Sequence, residues 1–279
     1  MSDRYCVFGN PIGHSRSPAI HAAFAAQCRQ DLIYEAILAP RDGFVDAVRS
    51  FVAGSGRGAN VTVPFKEEAC LLANRLTDRA KVAGAVNTLV FDGAGMLGDN
   101  TDGYGLLRDL TLNLGYQVAG KRVLLLGAGG AARGVIRPLL DTRPAALVVA
   151  NRTADRARDL EQRLPVTTSL RGCDYAELAG QSFDLVINAT SASLGGQLPP
   201  LPKGIFAADS LAYDMMYGQG QTPFLVFAGS QGVARLADGL GMLVEQAAEA
   251  FRIWRGIRPD TTPVMAMLRV AEAATSATR

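Results

Sequence analysis

Apolar positions recur along this chain in two alternating rhythms. Short runs rich in β-branched and aromatic residues, at Tyr5–Gly9, Leu32–Leu38 and Ala59–Val63, read as strands. Between them, Ser17–Gln27 reads as a helix opened by Ser17 with Pro18 at its first position. Gly43–Val52 reads as a second helix, with Phe44, Val45, Val48, Phe51 and Val52 on one face. A long helix is expected from about Lys66 to Lys81. Asn87–Phe91 and Met96–Gly98 flank Asp92-Gly93, a hairpin signal. This first block ends near Asp102 and runs into a helix over Tyr104–Leu114.

A second series begins at Lys121. Strands are expected at Arg122–Leu126, Ala146–Ala150, Val166–Ser169, Asp184–Asn188, Phe206–Ser210 and Val233–Leu236. Helices are expected at Ala131–Leu140 and Thr153–Leu164, and a last amphipathic helix at Met242–Arg255. Strands alternating with helices imply right-handed crossovers and a mostly parallel sheet, so the fold class is α/β. No internal repeat or low-complexity segment interrupts the pattern.

Composition narrows the class of partner. The 279 residues correspond to roughly two domains. Lys and Arg number 28 against 26 Asp and Glu, a net charge of +2, which aims no strong field at nucleic acid or anionic lipid. Apolar residues at 48% and charged residues at 19% describe a globular chain and exclude disorder. No apolar run approaches the length of a membrane span, and the first residues lack the apolar core of a signal peptide. Cys6, Cys28, Cys70 and Cys173 are scattered, and with only His14 and His21 as histidines no zinc set assembles from Cys and His. A cytoplasmic protein follows. The 30 glycines exceed the average share without any period, so they mark turns and close backbone approaches.

The most explicit motif follows the apolar strand Val123–Leu126. There Gly127-Ala128-Gly129-Gly130-Ala131-Ala132 opens a helix, the context of a dinucleotide fingerprint. Gly127 permits the tight turn, Gly129 lets a pyrophosphate approach, and the small Ala132 lets helix and strand pack closely. N–H groups at the helix start would take the phosphates. A purely structural turn is the alternative. At the end of the next strand stand Asn151-Arg152-Thr153, with Arg156 one turn beyond, where an NAD site places a carboxylate. Guanidinium groups there suit a 2′-phosphate, favouring NADP, against the alternative of a solvated basic helix start.

The first block carries its own polar stretches. Gly9-Asn10-Pro11-Ile12-Gly13-His14-Ser15-Arg16-Ser17-Pro18 places two hydroxyls around one turn, which could hold a carboxylate; helix capping by Ser17 is the plain alternative. Asn60-Val61-Thr62-Val63-Pro64-Phe65-Lys66 runs from a strand into a helix, with Lys66 near the strand's carboxyl end, where open α/β sheets bind ligands. Taken alone, Lys66 reads as a surface lysine. Gly84-Ala85-Val86-Asn87-Thr88 and Gly98-Asp99-Asn100-Thr101-Asp102-Gly103 add further polar groups, although Asp102 could simply cap a helix. His21 lies in an alanine-rich helix and reads as structural.

Together with Asp238–Gln246, these stretches resemble the shikimate dehydrogenase family, in the family's order and over nearly the whole chain. The resemblance implies two α/β domains: an N-terminal substrate domain and a Rossmann-like NADP-binding domain, with the active-site cleft between them. On that basis residues 1–102 and 240–279 form a discontinuous substrate-binding domain and 103–239 the NADP-binding domain. The implied activity is reversible NADPH-dependent reduction of 3-dehydroshikimate to shikimate, in aromatic amino-acid biosynthesis. Carried over by position, Ser15 and Ser17 would bind the substrate carboxylate with help from Tyr217. Thr62, Asn87, Asp102 and Gln246 would bind ring hydroxyls, and Lys66 with Asp102 would be the catalytic pair.

For the cofactor, the resemblance points to Gly127, Ala128, Gly129, Gly130 and Ala131, then to Asn151, Arg152, Thr153 and Arg156. Met215 and Gly239 would line the nicotinamide, and Asp78 falls at a position sometimes assigned to cofactor contact. Lys66 would donate a proton in reduction and accept one in oxidation, with Asp102 orienting it. His14 is the rival acid, but it sits in the turn that the resemblance gives to the carboxylate. Two rival functions are a quinate/shikimate dehydrogenase using NAD and a non-catalytic NADP-binding regulator. The implied partner is the small-molecule substrate, with no nucleic acid and no membrane, in a monomer or homodimer. One departure is Tyr217-Gly218-Gln219-Gly220, glycine-rich where the family often has proline after the tyrosine.

Overall fold

A computed structural model of the chain describes residues 2–162, 169–190, 198–218 and 220–277. Among the described residues the strands form two six-stranded sheets. The first contains β1 (Asp3–Gly9), β2 (Leu32–Leu38), β3 (Gly56–Val61), β4 (Arg75–Leu76), β5 (Thr88–Asp92) and β6 (Gly95–Asp99), in the order β2-β1-β3-β5-β6-β4. β1 is parallel to β2 and β3, whereas β5 runs antiparallel to both β3 and β6. The β5–β6 hairpin turns just past Asp92, whose carboxylate accepts from the Ala94 N–H at 2.9 Å.

The second sheet contains β7 (Arg122–Leu126), β8 (Ala146–Ala150), β9 (Leu170–Cys173), β10 (Phe183–Asn188), β11 (Phe206–Asp214) and β12 (Arg235–Asp238). Its order is β12-β11-β10-β7-β8-β9, and every pairing is parallel. This is the doubly wound order of dinucleotide-binding folds, with the direction of winding reversing between β7 and β10. Such sheets are buried on both faces, so their strands are continuously apolar. β7 shows the consequence: Val123 and Leu125 enter one core and Leu124 and Leu126 the other, as the two-residue period of a strand requires.

Helices α1 (Ser17–Cys28), α2 (Phe44–Ala53), α3 (Lys66–Leu72), α4 (Asp78–Ala83) and α5 (Asp102–Arg108) belong to the first half of the chain. Helices α6 (Gly130–Asp141), α7 (Ala154–Gln162) and α8 (Pro223–Ser230) surround the second sheet, and α9 (Leu240–Arg255) and α10 (Thr262–Ala277) close the chain. α9 returns to the first sheet. Its Val244 and Phe251 pack with Ile20 and Phe24 of α1 and with Val264 and Leu268 of α10. Trp254 donates to the Leu89 carbonyl at 3.0 Å. α9 also lies along α5.

Several elements differ from the sequence reading. The expected helix from Lys66 to Lys81 is broken: α3 ends at Leu72, β4 pairs in parallel with β6, and α4 begins at Asp78. Asn74 and Thr77 make the break, because Asn74 bonds to a strand backbone and Thr77 caps a new helix. Asn74 accepts from the Met96 N–H at 3.0 Å, and Thr77 caps α4 by accepting from Ala80 at 3.4 Å. The third strand lies earlier than expected, at Gly56–Val61. The helix expected over Tyr104–Leu114 begins at Asp102 and widens into a π-helical turn over Asp109–Asn113. There the buried Asp109 carboxylate accepts from Tyr213 at 2.6 Å and Asn113 at 2.9 Å, and burial raises its pKa. Of the strand expected at 166–169 and the helix ending at 164, residues 163–168 lie outside the described residues; β9 starts at Leu170. α8 and α10 are further helices that the expected elements do not include.

Candidate active site

Lys66 is the first residue of α3 and Asp102 the first of α5, so both side chains spring from helix starts beside the carboxyl ends of strands. Lys66 Nζ donates to Asp102 Oδ2 at 2.5 Å, with the two side chains only 12% and 6% exposed. The second carboxylate oxygen, Oδ1, accepts from Asn87 Nδ2 at 2.8 Å. Asn87 precedes β5 and is buried. Its Nδ2 also faces Thr101 Oγ1 at 2.9 Å and Gln246 Oε1 at 3.2 Å. Its Oδ1 accepts from the Thr101 N–H at 2.8 Å and from the Thr88 hydroxyl at 2.9 Å. The amide orientation is forced, since a carboxylate needs the donor end and a backbone N–H needs the acceptor end. Gln246 comes from α9, where its Nε2 is anchored on the Leu243 carbonyl at 3.0 Å.

A second layer supports this cluster, and four of its members carried no role in the sequence reading. Asn100 donates to the Ala85 carbonyl at 2.9 Å and accepts from the Asp102 N–H at 3.1 Å, which fixes the start of α5. Tyr34 donates to Asn60 Oδ1 at 2.7 Å. Asn60 in turn donates to the Asn87 carbonyl at 3.1 Å and Thr88 Oγ1 at 3.2 Å. Asn60, Asn100 and Thr101 stood inside motifs whose residues drew attention for other reasons. Tyr34 gave no signal, being one aromatic in an apolar strand. His21 stacks on Tyr34 with ring centroids 4.1 Å apart, and complete burial lowers its pKa to about 3, so it is a neutral packing group.

The serine turn borders the same region. Ser17, at the start of α1, is buried, and its N–H donates to Ser15 Oγ at 3.3 Å. Tyr217, from the loop after β11, packs on the core that holds Ile20 and Phe24. Burial raises the pKa of its phenol, which reaches the Arg16 backbone. Thr62 continues β3 by donating its N–H to the Phe8 carbonyl at 2.9 Å, and its methyl fills the space that a side chain at Gly9 would need.

The glycine loop lies at the switch point of the second sheet. Gly127 has φ +106°, and a Cβ there would meet Thr190 at 3.2 Å and the Ala189 backbone at 3.3 Å, so glycine is required. The space beside Gly129 is open, and α6 begins at Gly130 with no acidic residue in its first turn. Those features fit a dinucleotide pyrophosphate. A Cβ on Gly130 would sit 3.1 Å from Lys66 Cβ, so the loop abuts the stem of Lys66. Ala128 and Ala131 complete the loop.

At the end of β8, Asn151 Nδ2 donates to the Thr153 carbonyl at 2.9 Å, while Arg152, Thr153 and Arg156 are exposed. Met215 and Gly239 are brought together, with no room for a side chain on Gly239 beside the Met215 carbonyl. Asp78 stands apart: its side chain is 98% exposed and pairs with Lys81 at 3.2 Å. Among the described residues no group of His, Cys, Asp and Glu could hold a metal, and no helix is long and apolar enough to cross a membrane.

Residues 7–89 match the shikimate dehydrogenase substrate binding domain, residues 109–195 the shikimate/quinate 5-dehydrogenase family, and residues 239–269 the shikimate 5′-dehydrogenase C-terminal domain. The shikimate dehydrogenase (NADP(+)) of Dechloromonas aromatica is 68% identical over 96% of this chain and 98% of its own. An Ael1 enzyme from Pseudomonas putida is 51% identical, with a TM-score of 0.88 over 96% of this chain and 98% of its own. A Thermus thermophilus shikimate 5-dehydrogenase, solved in complex with NADP(H) and shikimate, is 32% identical with a TM-score of 0.84, covering 96% of this chain and 99% of its own.

Proposed function

The chain belongs to the shikimate dehydrogenase family, and from that premise we propose that it reduces 3-dehydroshikimate to shikimate with NADPH, reversibly, as a step of aromatic amino-acid biosynthesis. One observation carries the reading: the nucleotide loop touches the stem of Lys66, whose ammonium is bonded to Asp102 within the Asn87–Gln246 cluster. An acid and a cofactor loop therefore share one cleft.

NADPH supplies the hydride when bound. Lys66 Nζ donates a proton to the substrate carbonyl oxygen as negative charge develops there, and takes it back from the hydroxyl in the reverse direction. Asp102 holds Nζ in place, and Asn87 holds Asp102 through its other oxygen, so the pair is oriented before substrate arrives. Thr62, Asn87, Asp102 and Gln246 bind the ring hydroxyls. Ser15 and Ser17 bind the carboxylate from the turn at the start of α1, and Tyr217 closes over it.

The backbone of Gly127 to Ala131 takes the pyrophosphate. Arg152 and Arg156, which make no ion pair among the described residues, take the 2′-phosphate beside Asn151 and Thr153. Met215 and Gly239 form the nicotinamide wall. Asp78 belongs to the cofactor side because α4 packs against α6. Residues 1–102 and 240–279 act as the substrate-binding domain, which the shared core of α1, α9 and α10 supports; residues 103–239 act as the cofactor domain. The enzyme works in the cytoplasm as a monomer or homodimer, in keeping with four unpaired cysteines.

The test is oxidation of shikimate and quinate, each with NADP+ and NAD+. Turnover of shikimate with NADP+ preferred is the expected result. Preference for quinate and NAD+ would convert the assignment to a quinate dehydrogenase, and absence of turnover would favour a regulator. Sedimentation of the purified protein decides between monomer and homodimer.

A further inference from the structure

Asp102 and Gln246 sit on different helices, yet Asn87 must reach both at once. Each is followed or preceded, three positions away, by a buried carboxylate. Asp99 ends β6 just ahead of the Asn100–Asp102 segment, and Glu249 lies one turn beyond Gln246 on α9. Asp99 is 4% exposed and Glu249 1%. Two carboxylates buried this deeply need a shared cation, and Arg79 of α4 provides it.

The guanidinium of Arg79 spans the gap. Its Nε donates to Asp99 Oδ1 at 2.5 Å and its Nη2 to Asp99 Oδ2 at 2.7 Å, a bidentate grip. Its Nη1 and Nη2 each face Glu249 Oε1 at 3.2 Å. Asp99 is held further by the Thr77 hydroxyl at 2.6 Å and the Asn100 N–H at 2.7 Å. The Arg79 contact therefore passes directly into the backbone of the segment that presents Asp102. On the other side, Glu249 also pairs with Arg252 at 2.8 Å and Arg258 at 3.5 Å. Neither of these arginines is bonded to Asp99, so among the described residues Arg79 is the cation shared by Asp99 and Glu249; α5 and α9 also meet through Thr101 and Gln246 at 3.2 Å and through Arg108 and Glu245 at 2.9 Å.

We propose that Arg79 is a positioning residue for the reaction: its planar fork sets the separation between the Asn100–Asp102 segment and α9, and thereby the Asp102–Asn87–Gln246 spacing that receives the substrate ring. The inference rests on the reading of that cluster as the substrate site. A fork is needed because one flexible ammonium cannot grip one carboxylate bidentately while facing a second. Loss of the fork frees two like charges to move apart, and displacement by about an ångström at a reacting centre costs on the order of a hundredfold in rate.

The test is steady-state shikimate oxidation with NADP+, measured beside thermal melting, for the wild-type protein and the Arg79→Gln, Arg79→Lys and Arg252→Gln variants. Arg79→Gln is expected to lower kcat by about 10- to 100-fold and raise KM for shikimate, with KM for NADP+ changed less than about twofold. Arg79→Lys should recover the wild-type melting temperature while kcat/KM for shikimate stays about tenfold low. Arg252→Gln, which weakens Glu249 without touching Asp99, should lose melting temperature and keep kcat and KM within about twofold of wild type. Wild-type kinetics in Arg79→Lys would overturn the clamp even if Arg79→Gln did not fold. Equal losses of kcat in Arg79→Gln and Arg252→Gln would also overturn it, showing a stability effect alone. A wild-type protein inert towards shikimate would instead remove the substrate reading, and the clamp with it.

Discussion

The cluster around Asp102 and the edge from Gly127 to Arg156, to which the proposed function gives substrate and cofactor, are built by opposite means. Around Asp102 the polar side chains already satisfy one another: both carboxylate oxygens are occupied, and Asn87 uses both ends of its amide. Along the nucleotide edge the loop is bare backbone, the space at Gly129 is open and the arginines extend into solvent. On the proposed function the Asp102 cluster would hold a small polyhydroxylated ring within hydrogen-bond tolerance, which prearranged donors and acceptors suit. The edge proposed for the cofactor would recognise charge and shape over a long molecule, for which N–H groups and flexible cations suffice.

Lys66→Ala tests the substrate side most severely. It should lower kcat by at least about two orders of magnitude with a much smaller change in KM for shikimate, because it removes a proton donor and not a binding surface. Near-normal kcat would end the assignment. On the nucleotide edge, replacing Arg152 and Arg156 together by Ala should raise KM for NADP+ by about tenfold or more while barely changing KM for NAD+, as loss of two charge-assisted contacts to a single phosphate implies. Equal losses with both cofactors would place the arginines elsewhere.

Smaller effects test the prearrangement itself. Asn87→Ala leaves Asp102 and the Thr101 N–H short of partners in a buried site, so unfolding by denaturant should show a loss of about 1–3 kcal/mol. No loss of stability would mean that water or neighbours replace Asn87 at no cost. The last prediction concerns His21, whose folded pKa near 3 lies below its unfolded value of about 6.5. Unfolded chains then bind the extra proton, so stability is complete above about pH 6.5 and declines towards pH 3, by at most about 1.4 kcal/mol per pH unit. His21→Phe should flatten that part of the melting-temperature profile; an unchanged slope would assign it to other groups.

Much of the second sheet was legible because its evidence is local. Arg122–Leu126 and Ala146–Ala150 have the bounds the sequence predicts, since short apolar runs bounded by turn residues leave little choice. The loop at Gly127–Ala132 was legible through its glycine spacing together with the strand before it and the helix after it. Legibility failed where a local signal was outweighed or overlooked. The apolar period from Lys66 to Lys81 suggested one helix, but pairing of Arg75 and Leu76 with β6 won over it. α8 had its signal in Thr222-Pro223, where Thr222 accepts from the Leu225 N–H at 3.3 Å, but the adjacent glycines drew the reading towards a loop. In the site, Lys66 and Asp102 each read as ordinary residues on their own, and only the family's order of motifs singled them out.

Sequence pattern alone carried the α/β alternation, the mostly parallel second sheet and the glycine turn after β7, because side-chain period and glycine spacing act over a few residues. Tertiary structure decided what meets at the active site. Asn87 and Gln246 are bonded across 159 positions, and Arg79 reaches Glu249 across 170. No local pattern encodes such pairs: they exist because α9 folds back onto the first sheet, and that return is driven by burial of Val244 and Phe251 against α1 rather than by the polar residues it delivers.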